Sequence, residues 1–391
     1  MPIHDGRDEG RREAASTGRK KEEILYLQVV VLAAQLVFAT GFLAAARVLT
    51  PVAGCAAWIS VIVGWAIGIA IAFIAGALIR RFPTLSVVEM AEDVFTIPLG
   101  KAIGFSFAVY CTVILAISSK QFVLAISIPF LQSTPTEIVS GVFFALLAYA
   151  TYLGIEPIAR VSLIFFTIVV LSLIMLTGLA VPVSVPGRLL PLLGKGPMAI
   201  LRGGMLYASY VGELIVVLAF IRSMRKQDIS RVHIALASGV TIGSVLMALS
   251  VSFGLMMLGH YAMARLTFPA VEIARMVGVG EFLERTEILF LALWFSVALL
   301  KSATVFYASV ASAAEVMNLT DYRPLVLPYG VFTMALSLLP ENIMESFSTL
   351  GVFLKYSGWY ALGLPALMLT VAAIRHRGGK SRGGREAGAT S

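Results

Sequence analysis

Two ionisable side chains in this sequence sit where charge is costly. Glu213 closes the run Ser209-Tyr-Val-Gly212-Glu213 inside an apolar segment, and Lys301 lies within another apolar segment. An acidic or basic group at the centre of a bilayer costs about 2.5–3.5 kcal/mol on insertion scales, so it is by default a functional hypothesis. A buried carboxylate can hold a cation or a proton. A buried ammonium can exchange a proton, stand in for a bound metal cation, or neutralise the acid. The plainer alternative is a structural ion pair between the two. Glu287, Trp294 and Lys301 recur every seven residues and share one helix face, which should point away from lipid. Lys120, followed by Gln121, falls nearer the end of its segment, where snorkelling to the interface is expected. Glu156 and Arg160 are four apart and read as a local salt bridge.

The elements that must position these groups follow from composition. Of 391 residues, 59% are hydrophobic and 13% are charged, with a mean hydropathy of +0.90. Soluble domains carry about 25% charged residues, so an ordinary globular enzyme and a disordered chain are both excluded. At about 20 apolar residues per crossing, the sequence divides into ten spans near 24–48, 54–79, 102–129, 136–154, 161–182, 199–221, 234–258, 286–312, 324–340 and 354–374. The basic start followed by Phe42-Leu-Ala-Ala-Ala46 imitates a signal peptide, but the apolar stretch is too long for one.

The charge distribution supports this count. With the N-terminus cytoplasmic, 20 of the 30 Lys and Arg residues fall in cytoplasmic segments, 8 fall outside, and Lys120 and Lys301 lie within spans. Such an excess is the positive-inside pattern, and an even number of spans brings both termini to the cytoplasmic side. The net charge of +8 therefore reports topology and contact with membrane lipid, and nucleic acid is not expected as a partner. Residues 1–23 and 375–391 read as basic cytoplasmic tails around a single membrane domain of 24–374. Ser86 to Phe95 suits a short helix along the membrane, and Thr134-Pro135-Thr136-Glu137 has the spacing of a helix-capping box.

Ten spans divide into two sets of five, 24–182 and 199–374, and an odd number per half makes the second half inverted relative to the first. The first span of each half carries a mid-membrane glycine, in Phe38-Ala-Thr40-Gly41-Phe42 and in Tyr210-Val-Gly212-Glu213. Matched glycine-interrupted spans point to a binding site, because an unwound turn frees backbone groups that are tolerated at that depth only against a ligand, water or protein. For Gly41 taken alone, close helix packing is the alternative.

Several short motifs occur in order along most of the chain. They are Thr134-Pro135, Gly154-Ile-Glu156 with Ala159-Arg160, Pro191-Leu-Leu-Gly194 with Ile200-Leu201-Arg202-Gly203, Gly212-Glu213, Phe268-Pro269 ahead of Ile273-Ala-Arg275, and Glu284-Arg285 with Trp294 and Lys301. Together they resemble the B subunit of GerA-type spore-germination receptors, within the amino acid-polyamine-organocation superfamily. The resemblance implies an all-α, LeuT-like five-plus-five inverted repeat with interrupted first and sixth helices. Tyr210-Val-Gly212-Glu213 resembles the superfamily's sixth-helix motif, whereas the Gly-Ser-Gly-like motif of the first helix is reduced to Thr40-Gly41.

On that basis the expected ligand is a small germinant, an L-amino acid, held between spans one, three, six and eight. Phe38, Thr40, Gly41, Phe42, Tyr207, Ser209, Tyr210, Gly212 and Glu213 are the expected binding residues, and Glu213 and Lys301 are the expected coupling or ion-substitute residues. The resemblance further implies A and C receptor subunits as partners and the inner spore membrane as the location. The alternative from a different class is a proton-coupled amino-acid or polyamine transporter. Enzymatic activity, cofactors and bound metals are not expected: His4, His233, His260 and His376 are scattered without ligand spacing, and there is no phosphate-binding loop. Cys55 and Cys111 sit in apolar runs, where a free cysteine packs as a small hydrophobe.

Overall fold

The computed structural model describes residues 23–276 and 286–375, with no side chains described for 286–291. Apart from Glu23 and Arg375, the two expected tails lie outside the described residues, as do Glu284-Arg285 and the Glu287 side chain. The described helices are α1 (Tyr26–Ala53), α2 (Ala57–Arg81), α3 (Val87–Val94), α4 (Ile97–Phe130), α5 (Thr136–Leu153), α6 (Ile155–Ala180), α7 (Pro197–Val211), α8 (Val232–Arg265), α9 (Pro269–Met276), α10 (Thr286–Val316), α11 (Arg323–Leu338) and α12 (Ile343–Ile374). Eight stretches are long and apolar enough to cross a membrane, one of them being Tyr26–Arg81. That stretch is α1 and α2 joined by the 3-10 turn Gly54–Ala56, and α11 is a shorter apolar helix. The ten expected spans are thus found as α1, α2, α4, α5, α6, α7 with its extension, α8, α10, α11 and α12.

Local chemistry explains several boundaries. Gly154, at φ 105°, separates α5 from α6, so the fifth span begins at Ile155, earlier than the apolar run alone indicates. Asn342 accepts a hydrogen bond from the Glu345 amide and starts α12 well before its apolar stretch. The helix along the membrane is present as α3, closed by a reciprocal box in which Ser86 Oγ accepts from the Glu89 amide and Glu89 Oε2 accepts from the Ser86 amide. The box expected at Thr134 does not form: α5 starts at Thr136, and its N-cap is Pro135, with no side-chain cap.

The break expected in the first span is absent. Helix α1 runs without interruption through Thr40–Gly41 to Ala53. A single glycine costs a helix only about 1 kcal/mol, and the flanking Ala, Leu and Phe residues are helix-compatible, so one glycine does not open it. Gly41 instead faces α8, where an added Cβ would meet Met247 Cε at 2.4 Å.

Helices α1, α2, α7 and α8 pack on one another as a bundle, and α4, α5, α10 and α11 form a second group, a scaffold beside it. The pairings repeat in exchanged form: span one lies on seven as six lies on two, four on eight as nine on three, and five on one as ten on six. This exchange is the geometric signature of an inverted repeat of five. Glycines four apart let the bundle close. On α2, Gly64 meets the Gly204 carbonyl at 2.7 Å and Gly68 meets Val211, while on α8, Gly239 meets the Val30 carbonyl at 2.6 Å and Gly243 the Ala34 carbonyl at 2.9 Å, all measured from an added Cβ.

Both described ends lie on one face. The Ile24 amide donates to the Ser223 carbonyl at 2.6 Å, clasping the start of α1 to the end of the sixth span. Arg375 Nη1 donates to the carbonyls of Val94 and Phe95 at 2.9 and 2.7 Å. On the same face Arg222 bridges Glu89 at 2.8 Å and Glu315 at 3.2 Å, joining bundle to scaffold, though exposed pairs of this kind contribute only about 0–1 kcal/mol each.

Candidate functional site

The sixth span changes winding at Gly212. Helix α7 ends at Val211 and the chain continues as a 3-10 helix from Gly212 to Ser223, ending after a non-helical Phe220 (φ −120°, ψ 22°). Glycine is required there by space as well as by propensity, since an added Cβ would meet Ala361 Cβ of α12 at 2.7 Å. The following Ile215-Val216-Val217 run is β-branched and adds little helix preference. Mid-helix 3-10 winding of this length is uncommon and often marks a hinge.

The tighter winding presents Glu213 to α10. Glu213 Oε2 lies 2.7 Å from Lys301 Nζ, with the two side chains 5% and 0% exposed. This pair links the bundle to the scaffold at mid-span. The Lys301 ammonium also lies 6.0 Å from the ring centre of Phe122 on α4, close enough for a weak cation–π contribution. Tyr110 and Cys111 of α4 and Tyr210 of α7 are buried on helices of the same two groups. Phe122 belongs to a chain of packed rings, with Phe122–Trp294 centroids 5.6 Å apart, Phe42–Trp294 at 6.0 Å and Phe38–Phe42 at 5.2 Å.

Buried polar atoms without partners occur on these four spans and also elsewhere, at Trp58 Nε1, Thr151 Oγ1, Ser162 Oγ, His233 Nδ1 and Ser357 Oγ. Among the described residues, Gln35 Oε1 and Thr40 Oγ1 on α1, Ser119 Oγ and the Gln121 amide on α4, Tyr210 OH on α7, and Trp294 Nε1 and Ser302 Oγ on α10 are buried without a hydrogen bond. Each such group costs about 1–3 kcal/mol where it stays unpaired.

The expected binding residues divide in two. Phe38, Thr40, Phe42, Tyr210, Glu213 and Lys301 belong to the helices and contacts just described. Tyr207 turns into the bundle, where its OH donates to Ser244 Oγ at 3.1 Å. Ser209 turns to α12 and donates to the Leu354 carbonyl at 2.6 Å. Gly41 and Gly212 set helix approach against α8 and α12. Lys120, expected to snorkel, is instead 5% exposed. Residues not singled out from sequence, Tyr110, Cys111 and Phe122, join the site from α4. The sequence around Cys111 predicts packing only, because nothing in a local window says which helix α4 lies against.

The arrangement can be placed among known proteins. A family model described as Spore germination protein matches residues 23–346. Spore germination protein KB of Bacillus subtilis (strain 168) is 25% identical over 357 residues, covering 88% of this chain and 94% of that protein. Spore germination protein YndE of the same organism is 24% identical over 330 residues, covering 83% and 88%. Among solved structures, the nucleobase-cation-symport-1 family transporter Mhp1, closed with bromovinylhydantoin bound, superposes with a TM-score of 0.69 at 15% identity over 91% of this chain and 80% of that one. MhsT in complex with L-phenylalanine gives 0.70 at 14% identity over 90% of each chain. The fold is therefore that of LeuT-like transporters, in a multi-pass membrane protein. A transporter-like core carrying these motifs from end to end places the chain in the spore germination protein family, as a germinant-receptor subunit built on a permease fold.

Proposed function

We propose that this receptor subunit, acting without enzymatic chemistry, senses an L-amino acid at the Glu213–Lys301 pair. The observation that carries the reading is the pair itself, two opposite charges 2.7 Å apart, buried, one on the bundle and one on the scaffold. A zwitterion can replace such a contact without leaving either charge alone: its ammonium takes Glu213 and its carboxylate takes Lys301. The uninterrupted α1 offers no free N–H groups for the carboxylate, so Lys301 assumes that role. Thr40, Tyr210 and Gln121 supply hydrogen bonds, and Phe38, Phe42, Phe122 and Trp294 receive an apolar side chain. Inserting a ligand between Glu213 and Lys301 separates bundle from scaffold, and the population so favoured is the signal. Cytoplasmic termini, residence in the inner spore membrane and assembly with A and C subunits complete the reading.

Thermal unfolding of the purified protein against amino acids, nucleosides and sugars tests it. A ligand binding only the folded form at 100 times its Kd stabilises by about 2.7 kcal/mol, a shift of several degrees. At least one L-amino acid is expected to give that shift in the wild type and none in Glu213→Gln. Stabilisation by nucleosides or sugars alone would overturn the amino-acid assignment. Proton-driven accumulation in proteoliposomes would move the protein to the transporter class.

Cys111 reports the separation directly. It is fully buried on α4, which packs on α10, so in a Cys55→Ser background a membrane-permeant maleimide should react slowly, and at least tenfold faster once the germinant is bound. An unchanged rate at saturating ligand would mean that bundle and scaffold do not part at this level.

A further inference from the structure

Away from the ion pair, a groove of ≈ 860 Å³ opens between α7 and α12, with Ile67 of α2 in its lining. Its lining is mostly apolar but includes Lys195, Arg202 and Lys355, and no acidic residue. All three cations are exposed. Lys195 Nζ donates to the Pro51 carbonyl at 2.7 Å, which holds it at the rim. Neither Arg202 nor Lys355 has an ion-pair partner among the described residues. Trp359, one turn beyond Lys355 on the same helix face, also lines the groove and is 67% exposed. Tryptophan beside cations is the residue set of a membrane interface.

We propose that this groove binds one anionic phospholipid. Its phosphate pairs with Arg202 and Lys355, with Lys195 adding charge at the rim, and an acyl chain lies along Leu206 and Leu362. Arginine matches phosphate bidentately, and lysine contributes as a point charge. Charge complementarity selects this occupant: three cations with no acid repel a cationic partner and favour an anionic one, and a groove of this polarity pattern matches an anionic head on an apolar tail. The site lies on the contact between the bundle and span ten. There Ser209 donates to Leu354 and Gly358 packs on Ser209, so lipid occupancy bears on the same bundle that carries Glu213.

Native mass spectrometry of the full chain, released from nanodiscs of equal phosphatidylglycerol and phosphatidylcholine with identical acyl chains, tests the proposal. One phosphatidylglycerol is expected to be retained in preference. Each of Arg202→Gln and Lys355→Gln should lower that preference about fivefold, and the double variant should abolish it, with unfolding temperatures in neutral detergent unchanged. Ala199→Phe, which fills the groove and keeps every cation, should also lower retention. Equal retention of the two lipids by the wild type overturns the proposal, as does an undiminished preference in the double variant. Displacement of the retained lipid by millimolar inorganic phosphate would reduce the site to an anion site, and protection of Ala199→Cys from labelling only when another receptor subunit is bound would make it a protein interface. Each of those results also overturns the proposal, and none bears on amino-acid binding at Glu213.

Discussion

Lys301→Met is expected to destabilise the folded chain by about 3–5 kcal/mol, because it leaves the Glu213 carboxylate buried without its counter-charge. Glu213 is 5% exposed and Lys301 0%, so water cannot take over for either partner. Glu213→Gln should cost less, since the amide oxygen still accepts from the ammonium, but it strands a positive charge. The double variant Glu213→Gln/Lys301→Met removes both charges and should recover most of the loss, giving a coupling of at least about 2 kcal/mol, in line with buried pairs replaced by uncharged residues. Chemical or thermal unfolding in detergent measures all four species. Additive single effects, or singles within about 0.5 kcal/mol of wild type, would mean that the 2.7 Å contact is not an ion pair in the membrane. The double variant should also fail to respond to any germinant, although it is folded. That separation distinguishes a pair kept for recognition from one kept for stability, because the uncharged replacement would serve stability equally well.

How far the site was legible follows from what each residue signals locally. Glu213 and Lys301 were visible because charge inside an apolar run is costly wherever it points, so no facing information was needed. Gly212 was visible through its neighbour Glu213 and coincides with the change to 3-10 winding. Gly41 looked equivalent and is not: α1 is buried on nearly every side, so its sequence has no polar face from which to tell whether position 41 meets α8 or α10. Tyr207 and Ser209 take other partners for a related reason. They flank Tyr210 closely in sequence, yet about 100° per residue separates them around the helix, sending one to Ser244 and the other to Leu354. Cys111, Phe122 and Tyr110 gave no signal at all, since their part depends on which helix α4 lies against. The span count was more readable than the site because it is a sum over many residues, whereas a binding site depends on the rotation of individual helices.

The second large effect lies in the packing that lets the bundle move as one body. Gly239→Val should prevent accumulation of folded protein. A Cβ at 239 would stand 2.6 Å from the Val30 carbonyl oxygen, 2.5 Å from Ala33 Cβ and 3.1 Å from the Ala34 nitrogen. Two of these are backbone atoms inside an uninterrupted stretch of helix and cannot swing aside as the Met247 terminus can at Gly41. Either α8 withdraws from α1, opening voids along the tightest contact in the bundle, or the α1 backbone bends. Overpacking of this kind costs about 1–3 kcal/mol per added group and more when backbone must shift. Gly41→Ala, which meets only the flexible end of Met247, should cost under about 1 kcal/mol. Gly178→Ala and Gly363→Ala, with nothing within 4 Å of an added Cβ, should be neutral or stabilising by up to about 1 kcal/mol through helix propensity. Fluorescence-detection size-exclusion of tagged variants ranks all four. Retention of a monodisperse peak by Gly239→Val, with unchanged melting, would show that α1 and α8 are not in this register. The first and seventh spans would then be free to move separately, and a ligand at Glu213 could signal through α1 alone.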